Sequence, residues 1–236
     1  MKAYLDMAET RQLEGAAQYW RDKLLIRLLI RLGCRISEVL GIAVSDIDFS
    51  QGTVSIQYLK TRFQLLCPTC QIRLSRAAKF CPSCGVIVER VIAQEKKHRR
   101  MRTLPLDNDT LEMLRDYVKG GGLVKRGGEV LLFGINRHRA WQIVKECAER
   151  ARLPKLVNPE TGKVHNVSPH RLRDAFAIHA VKLDDSGDGL RLLQEQLGHV
   201  SFNTTAKYRK VAGHELKNWY DKLWSNEVNS GGSQTR

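Results

Sequence analysis

Two Cys-x-x-Cys knuckles, Cys67-Pro-Thr-Cys70 and Cys81-Pro-Ser-Cys84, separated by ten residues, constrain this 236-residue chain more than any other feature. Each knuckle can point two thiolates at one tetrahedral ion. Four protein ligands leave no position open for substrate, so the spacing predicts a closed, structural zinc site and not a catalytic one. A redox pair or free thiols compete with that reading, but ribbon-like spacing favours metal. The surrounding stretch holds few large apolar residues, so metal binding must supply much of its folding energy, on the order of 10 kcal/mol in isolated zinc modules. Arg73, Arg76 and Lys79 flank the knuckles, which leaves two roles open, a finger that touches DNA or a solvated brace. Cys34 and Cys147 stand apart in apolar helical contexts and are assigned no chemistry.

The knuckles sit inside a predicted hairpin. Residues 53–59 alternate Val54, Ile56 and Tyr58 on one face, the period of a half-buried strand, after a strand and turn at 46–52. The expected partner strand is 102–106, which makes the cysteine region an insertion of about forty residues. The rest reads as helix. Leu13, Ala16, Ala17, Trp20, Leu24, Leu28 and Leu32 predict one helix over 9–32 that stops at Gly33. Further helices are expected from Arg35 and over 111–118, 140–151, 168–183, 194–197, 204–210 and 215–224, with a loop at 120–128. Ser168 can cap the fifth of these while Pro169 fits its first turn.

Charge narrows the partner. Lys and Arg number 39 against 25 acidic residues, a net +14 that favours a polyanion. No basic helix with an aromatic face suits a membrane surface, and the longest apolar stretch, 24–32, is broken by Arg27 and Arg31. Without a charged-then-apolar leader, a cytoplasmic location and a double-stranded DNA partner are expected. Lys96, Lys97, Arg99, Arg100 and Arg102 form a basic run read as phosphate-contacting.

Metal-free phosphodiester cleavage needs a nucleophile, cations around the non-bridging oxygens and an acid for the leaving hydroxyl. His170-Arg171-Leu172-Arg173 places His170 and Arg173 on one helical face. Leu197-Gly198-His199 is followed nine residues later by Tyr208, and Gly33-Cys34-Arg35-Ile36-Ser37-Glu38 lies far upstream. In order and spacing these motifs resemble the catalytic domain of the tyrosine recombinases, the phage integrase family.

That resemblance implies an α+β fold, a mainly helical catalytic domain over 1–228 with a small antiparallel sheet; the zinc ribbon read from the cysteine spacing is inserted in it at 63–95, and the polar residues 229–236 are expected to be a disordered tail. The N-terminal core-DNA-binding domain usual in the family is expected to be absent. It further implies that Tyr208 attacks DNA to give a 3′-phosphotyrosyl bond without ATP or catalytic metal. Arg35 and Arg173 would clamp the phosphate, His199 would bond a non-bridging oxygen, and His170 would assist proton transfer from Tyr208. Glu38 would buttress Arg35 or form an ordinary helix salt bridge. The family's acid is a hairpin lysine, here Lys60 or Lys97. Asp174 stands where a histidine is common, a difference expected to alter only local hydrogen bonding. Strand exchange would need a homo-tetramer on DNA, with Leu216, Trp219, Tyr220 and Leu223 docking on a neighbour or on their own domain. Integration of a mobile element and resolution of chromosome dimers are both open. A type IB topoisomerase and a non-catalytic DNA-binding remnant are the competing functions.

Overall fold

The structure, a computed structural model, describes residues 2–57, 63–75, 78–88, 92–95, 101–158 and 161–211. The chain divides into a helical unit, residues 1–56 with 102–236, and a ribbon unit, residues 57–101.

The helical unit opens with α1 (Met7–Gly15), started by a capping box in which Asp6 accepts from the Glu9 amide and Glu9 accepts from the Asp6 amide. The single helix expected over 9–32 is two. Helix α1 ends at Gly15, Tyr19 is extended, and α2 runs over Trp20–Leu32. Glycine is a weak helix former, and the break frees each helix to turn its own apolar face inward. Trp20, read as part of the core stripe, is therefore 50% exposed, whereas Leu24, Leu25, Leu28, Leu29 and Leu32 are buried. A Glu14–Arg27 ion pair at 2.7 Å ties the two helices.

Helix α2 stops at Gly33, whose φ of +61° suits glycine. A Cβ there would lie 2.4 Å from the Phe176 ring, so glycine is also required by packing. Helix α3 (Ile36–Leu40), a 3₁₀ turn at Val44–Asp46, and strands β1 (Ile47–Asp48) and β2 (Thr53–Gln57) follow. The ribbon unit supplies β3 (Phe63–Leu66), β4 (Arg73–Leu74) and β5 (Ile92–Glu95), after which β6 (Met101–Pro105) returns. The order β1-β2-β6 in one sheet confirms the hairpin interrupted by an insertion.

Helix α4 (Asn108–Lys119) is capped by Asp107, which accepts from the Thr110 amide. The loop expected at 120–128 instead leads into a hairpin of β7 (Val124–Arg126) and β8 (Glu129–Leu131). Gly127 and Gly128 both have positive φ, the two-residue turn that matches strand twist. Helix α5 (Arg137–Arg150), the short pair β9 (Leu156–Val157) and β10 (Val164–His165), α6 (Pro169–Leu183), α7 (Gly187–Leu197) and α8 (Phe202–Val211) complete the unit. Helix α7 is longer than the piece expected at 194–197. Pro169 occupies the first turn of α6, though Ser168 makes no side-chain cap bond.

The main core gathers around α2. A second cluster joins Ala177, Val181, Leu190, Leu193 and Leu197, with the Tyr208 ring packed against it. The fold is mainly helical with small antiparallel sheets, as expected. Among the described residues, no helix is long and apolar enough to cross a membrane.

The ribbon unit is an antiparallel sheet in the order β4-β3-β5, with Leu65 opposite Leu74 and Ala93. Its two knuckles repeat one hydrogen-bond pattern. The Cys67 amide bonds the Ile72 carbonyl and the Gln71 amide bonds the Cys67 carbonyl; Cys81, Val86 and Gly85 do the same. Each repeat passes through the left-handed region, at Gln71 (φ +58°) and Gly85 (φ +70°).

Candidate active site

Two glycine-capped turns build the site. Past Gly33, Arg35 takes the N-cap position of α3, and its amide bonds Glu38 Oε2 at 3.0 Å. The α7 terminus turns through Gly198 at φ +65°, where the His199 amide reaches back to the Gln194 carbonyl, a Schellman closure. Arg173, buried on α6, spans the two turns. Its Nη1 donates to the Gly33 carbonyl at 2.8 Å and its Nη2 to the Leu197 carbonyl at 2.7 Å. A guanidinium has five N–H donors, so these two anchors fix its plane and leave capacity for an anion.

Glu38 is buried and holds two arginines, Arg35 Nη1 at 2.8 Å and Arg102 Nη2 at 2.7 Å. Burial alone would raise its pKa, but the bonds and charges of Arg102 and Arg35 outweigh that and keep it below the usual value. Arg102 was expected among the phosphate-contacting basic residues. Its side chain instead turns inward, bonding Glu38, the Gln196 carbonyl at 3.1 Å and Cys34 Sγ at 3.4 Å. A buried carboxylate needs cations to offset its desolvation, and Arg102 joins Arg35 in supplying them.

His199 lies among these cations. Its pKa is pushed down to about 4, first by burial and then by Arg173, Arg35 and Arg102. The ring is therefore neutral near pH 7, with Nδ1 2.9 Å from the buried Thr205 hydroxyl. Tyr208 stacks on it, ring centroids 6.3 Å apart and planes 11° apart. The Tyr208 hydroxyl donates to Asp174 Oδ1 at 3.0 Å. Burial, then the Asp174 carboxylate, raises the phenol's pKa well above its usual value, so it is a neutral hydroxyl.

The structure thus brings Arg35, Glu38, Arg173, His199 and Tyr208 together. His170 is mostly exposed, with Nε2 4.0 Å from Asp174 Oδ1. Lys60, Lys96, Lys97, Arg99 and Arg100, Arg76 beside the knuckles, and the helix and tail expected at 215–224 and 229–236, lie outside the described residues. Thr205 escaped the sequence reading, and Asp174, expected only to alter local hydrogen bonding, accepts from the Tyr208 hydroxyl. The only signal for either is its distance from a motif residue, six from His199 and one from Arg173.

The Phage integrase family profile matches residues 2–81 and 69–215. The chain belongs to the phage integrase family. Among its integrase relatives, the tyrosine recombinase XerD of Corynebacterium glutamicum is 26% identical over 204 residues, 84% of this chain and 50% of that protein. The chain spans about half the length of this and other curated XerD relatives it matches. The crystal structure of XerA recombinase shares the fold at 18% identity with a TM-score of 0.61, covering 95% of this chain and 66% of that one. The catalytic domain of bacteriophage HP1 integrase does so at 17% identity and a TM-score of 0.52, covering 94% of this chain and 95% of that domain.

The ribbon unit brings its four thiols together, as the knuckle spacing predicted. Cys67, Cys70, Cys81 and Cys84 place their sulfurs within 4.8 Å of one another, the shortest pairs being Cys67–Cys84 at 3.6 Å and Cys70–Cys81 at 3.5 Å. A tetrahedral zinc with Zn–S bonds of about 2.3 Å requires sulfurs roughly 3.8 Å apart, so the donor set fits. Amide N–H groups of Cys70 and Thr69 draw the Cys67 thiol's pKa down to about 6, towards the thiolate a metal needs.

Proposed function

We propose that this integrase-family chain is the strand-transferring portion of a site-specific DNA recombinase working on double-stranded DNA. The observation that carries the reading is the stacking of the Tyr208 ring on a neutral His199 whose surroundings are Arg173, Arg35 and Arg102. A nucleophilic hydroxyl beside convergent guanidiniums suits a phosphodiester, because the cations stabilise charge that develops on the non-bridging oxygens.

In this reading Arg35 and Arg173 hold the scissile phosphate. Glu38 fixes Arg35, and Arg173 is fixed by its two carbonyls. Thr205 donates to His199 Nδ1, which leaves an Nε2–H for a phosphate oxygen. The Tyr208 oxygen bonds to phosphorus, the 5′ oxygen leaves with a proton from Lys60 or Lys97, and energy is kept in the 3′-phosphotyrosyl ester. No ATP or catalytic metal enters the scheme. A 5′ hydroxyl from a partner strand reverses the step, which pairs active sites in a homo-tetramer on DNA in the cytoplasm. Zinc on the four cysteines folds the ribbon and takes no part in the chemistry.

The test uses nicked suicide duplexes randomised around the nick, from which the short fragment bearing the released 5′ hydroxyl diffuses away. The wild-type chain should form an SDS-stable protein–DNA adduct that Tyr208→Phe abolishes, and Arg173→Ala should slow adduct formation by about a hundred- to a thousand-fold. Equal adduct from Tyr208→Phe would overturn the reading.

A further inference from the structure

We infer that Asp174 is the base that takes the Tyr208 proton as Tyr208 attacks DNA; the inference rests on the strand-transfer reading above. Three groups converge on this carboxylate, whose side chain is only 13% exposed. The Tyr208 hydroxyl donates to Oδ1 at 3.0 Å, Arg171 Nη1 donates to Oδ2 at 2.8 Å, and His170 Nε2 stands 4.0 Å from Oδ1. This is the arrangement of an activated nucleophile. The hydroxyl is within hydrogen-bond reach of an acceptor, and the acceptor is itself oriented by a third group.

The alternatives are poorer on geometry. His170, the residue that family resemblance assigns to proton transfer, is 69% exposed and faces the same carboxylate oxygen that Tyr208 addresses. It is therefore placed to accept a proton from Asp174, one step further along. His199 stacks against the Tyr208 ring face, and its Nδ1 is engaged by Thr205. Nor is the phenol ionised in advance, since burial and the Asp174 charge push its pKa well above the ordinary phenol value. The proton must leave during attack, when bond formation to phosphorus makes the phenolic oxygen more acidic, and Asp174 Oδ1 is already bonded to it.

The step balances. The Tyr208 oxygen–phosphorus bond forms, the bond from phosphorus to the 5′ oxygen breaks, the phenolic proton passes to Asp174 Oδ1, and the departing 5′ oxygen takes a proton from the lysine acid. On rejoining, the attacking 5′ hydroxyl returns a proton to that lysine, and Asp174 returns its own to Tyr208.

The full chain is tested on a nicked suicide duplex selected by the wild type from the randomised pool. Asp174→Asn keeps a hydrogen-bond acceptor but loses the base. It should slow adduct formation by about a hundred- to ten-thousand-fold, with gel-shift affinity retained. Its rate should climb with rising pH as hydroxide substitutes, where the wild type is flat, and Asp174→Glu should recover part of the rate. If the melting temperature shows that Asp174→Asn does not fold, Asp174→Ser supplies the same comparison. A variant within tenfold of the wild type overturns the inference. So does a slowed variant that keeps the wild-type pH profile, which would leave Asp174 a positioning residue. A wild type that forms no Tyr208-dependent adduct overturns the strand-transfer reading and the inference with it, whereas a wild-type adduct beside a fast Asp174→Asn overturns the inference alone.

Discussion

The helical unit and the ribbon unit are stabilised by different physics. Around α2 the helical unit buries a continuous cluster running from Leu5 to Ala175, with leucines and isoleucines at or near zero exposure. The ribbon's buried cluster is Cys67, Leu74 and Cys81, backed by Leu65, Ala78 and Val88. Apolar burial is worth roughly 25 cal/mol per Å², so the first cluster can offset the entropy of ordering its chain and the second cannot. Among its described residues the ribbon adds backbone pairing and four convergent sulfurs to this small cluster. It should behave as a metal-dependent fold attached to a metal-independent one.

Chelation should therefore have the largest effect and the most selective one. With zinc removed by excess chelator, amide hydrogen exchange over residues 63–75 and 78–88 should lose its protection, reflecting on the order of 10 kcal/mol of coupled binding and folding. Exchange in α2 should not change. Protection that persists in the chelated ribbon would mean that its small core suffices, and would break the contrast.

How far the sequence disclosed each unit follows the same division. Metal ligation is a matter of residue type and short spacing, so the knuckles are legible in the chain, as is the alternation that pairs β2 with β6 across the insertion. Arg35, Arg173, His199 and Tyr208 are legible because each lies in a compact motif. Glu38 beside Arg35, three residues apart, is legible too, but the long-range partnerships that orient them are not. Glu38 with Arg102 spans 64 positions and Tyr208 with Asp174 spans 34, and no local pattern encodes such pairs. Arg102 sits in a basic run that reads as a solvated face, yet desolvation of Glu38 draws it inward. The break between α1 and α2 was hidden because Trp20 continues the helical period of the core stripe while pointing to solvent.

Acid should separate the units next, at an intermediate magnitude. The folded pKa of His199 is depressed to about 4 from the usual 6.5, so below pH 6.5 the unfolded chain binds a proton that the folded chain refuses. The stability of the helical unit should fall as pH drops from about 6.5 towards 4. Glu38, with its pKa lowered from 4.5, acts later, its contribution being lost only below that value. His199→Gln should remove the first limb and spare the second. A change of about 1 kcal/mol corresponds to about 2–4 °C in Tm for a domain of this size. An unchanged acid limb would show that His199 is not held neutral by burial and the arginines.

The smallest effect lies inside the ribbon, where one knuckle serves as the control for the other. Gln71 and Gly85 occupy equivalent positions after their second cysteines, at φ +58° and +70°, with the same amide-to-cysteine carbonyl bond. A residue with a Cβ costs roughly 1–2 kcal/mol in the left-handed region, whereas glycine adopts it freely and loses some of that advantage to the entropy of its unfolded chain. Gln71→Gly should thus stabilise the ribbon by somewhat less than about 1 kcal/mol, seen in a zinc competition titration as an affinity gain of less than about fivefold. Gly85→Gln should move affinity the other way by a similar factor, because open space around that position leaves the backbone as the only source of cost. Opposite and similar shifts would tie the ribbon's residual stability to backbone conformation at the knuckles, as a fold with so small a cluster among its described residues requires.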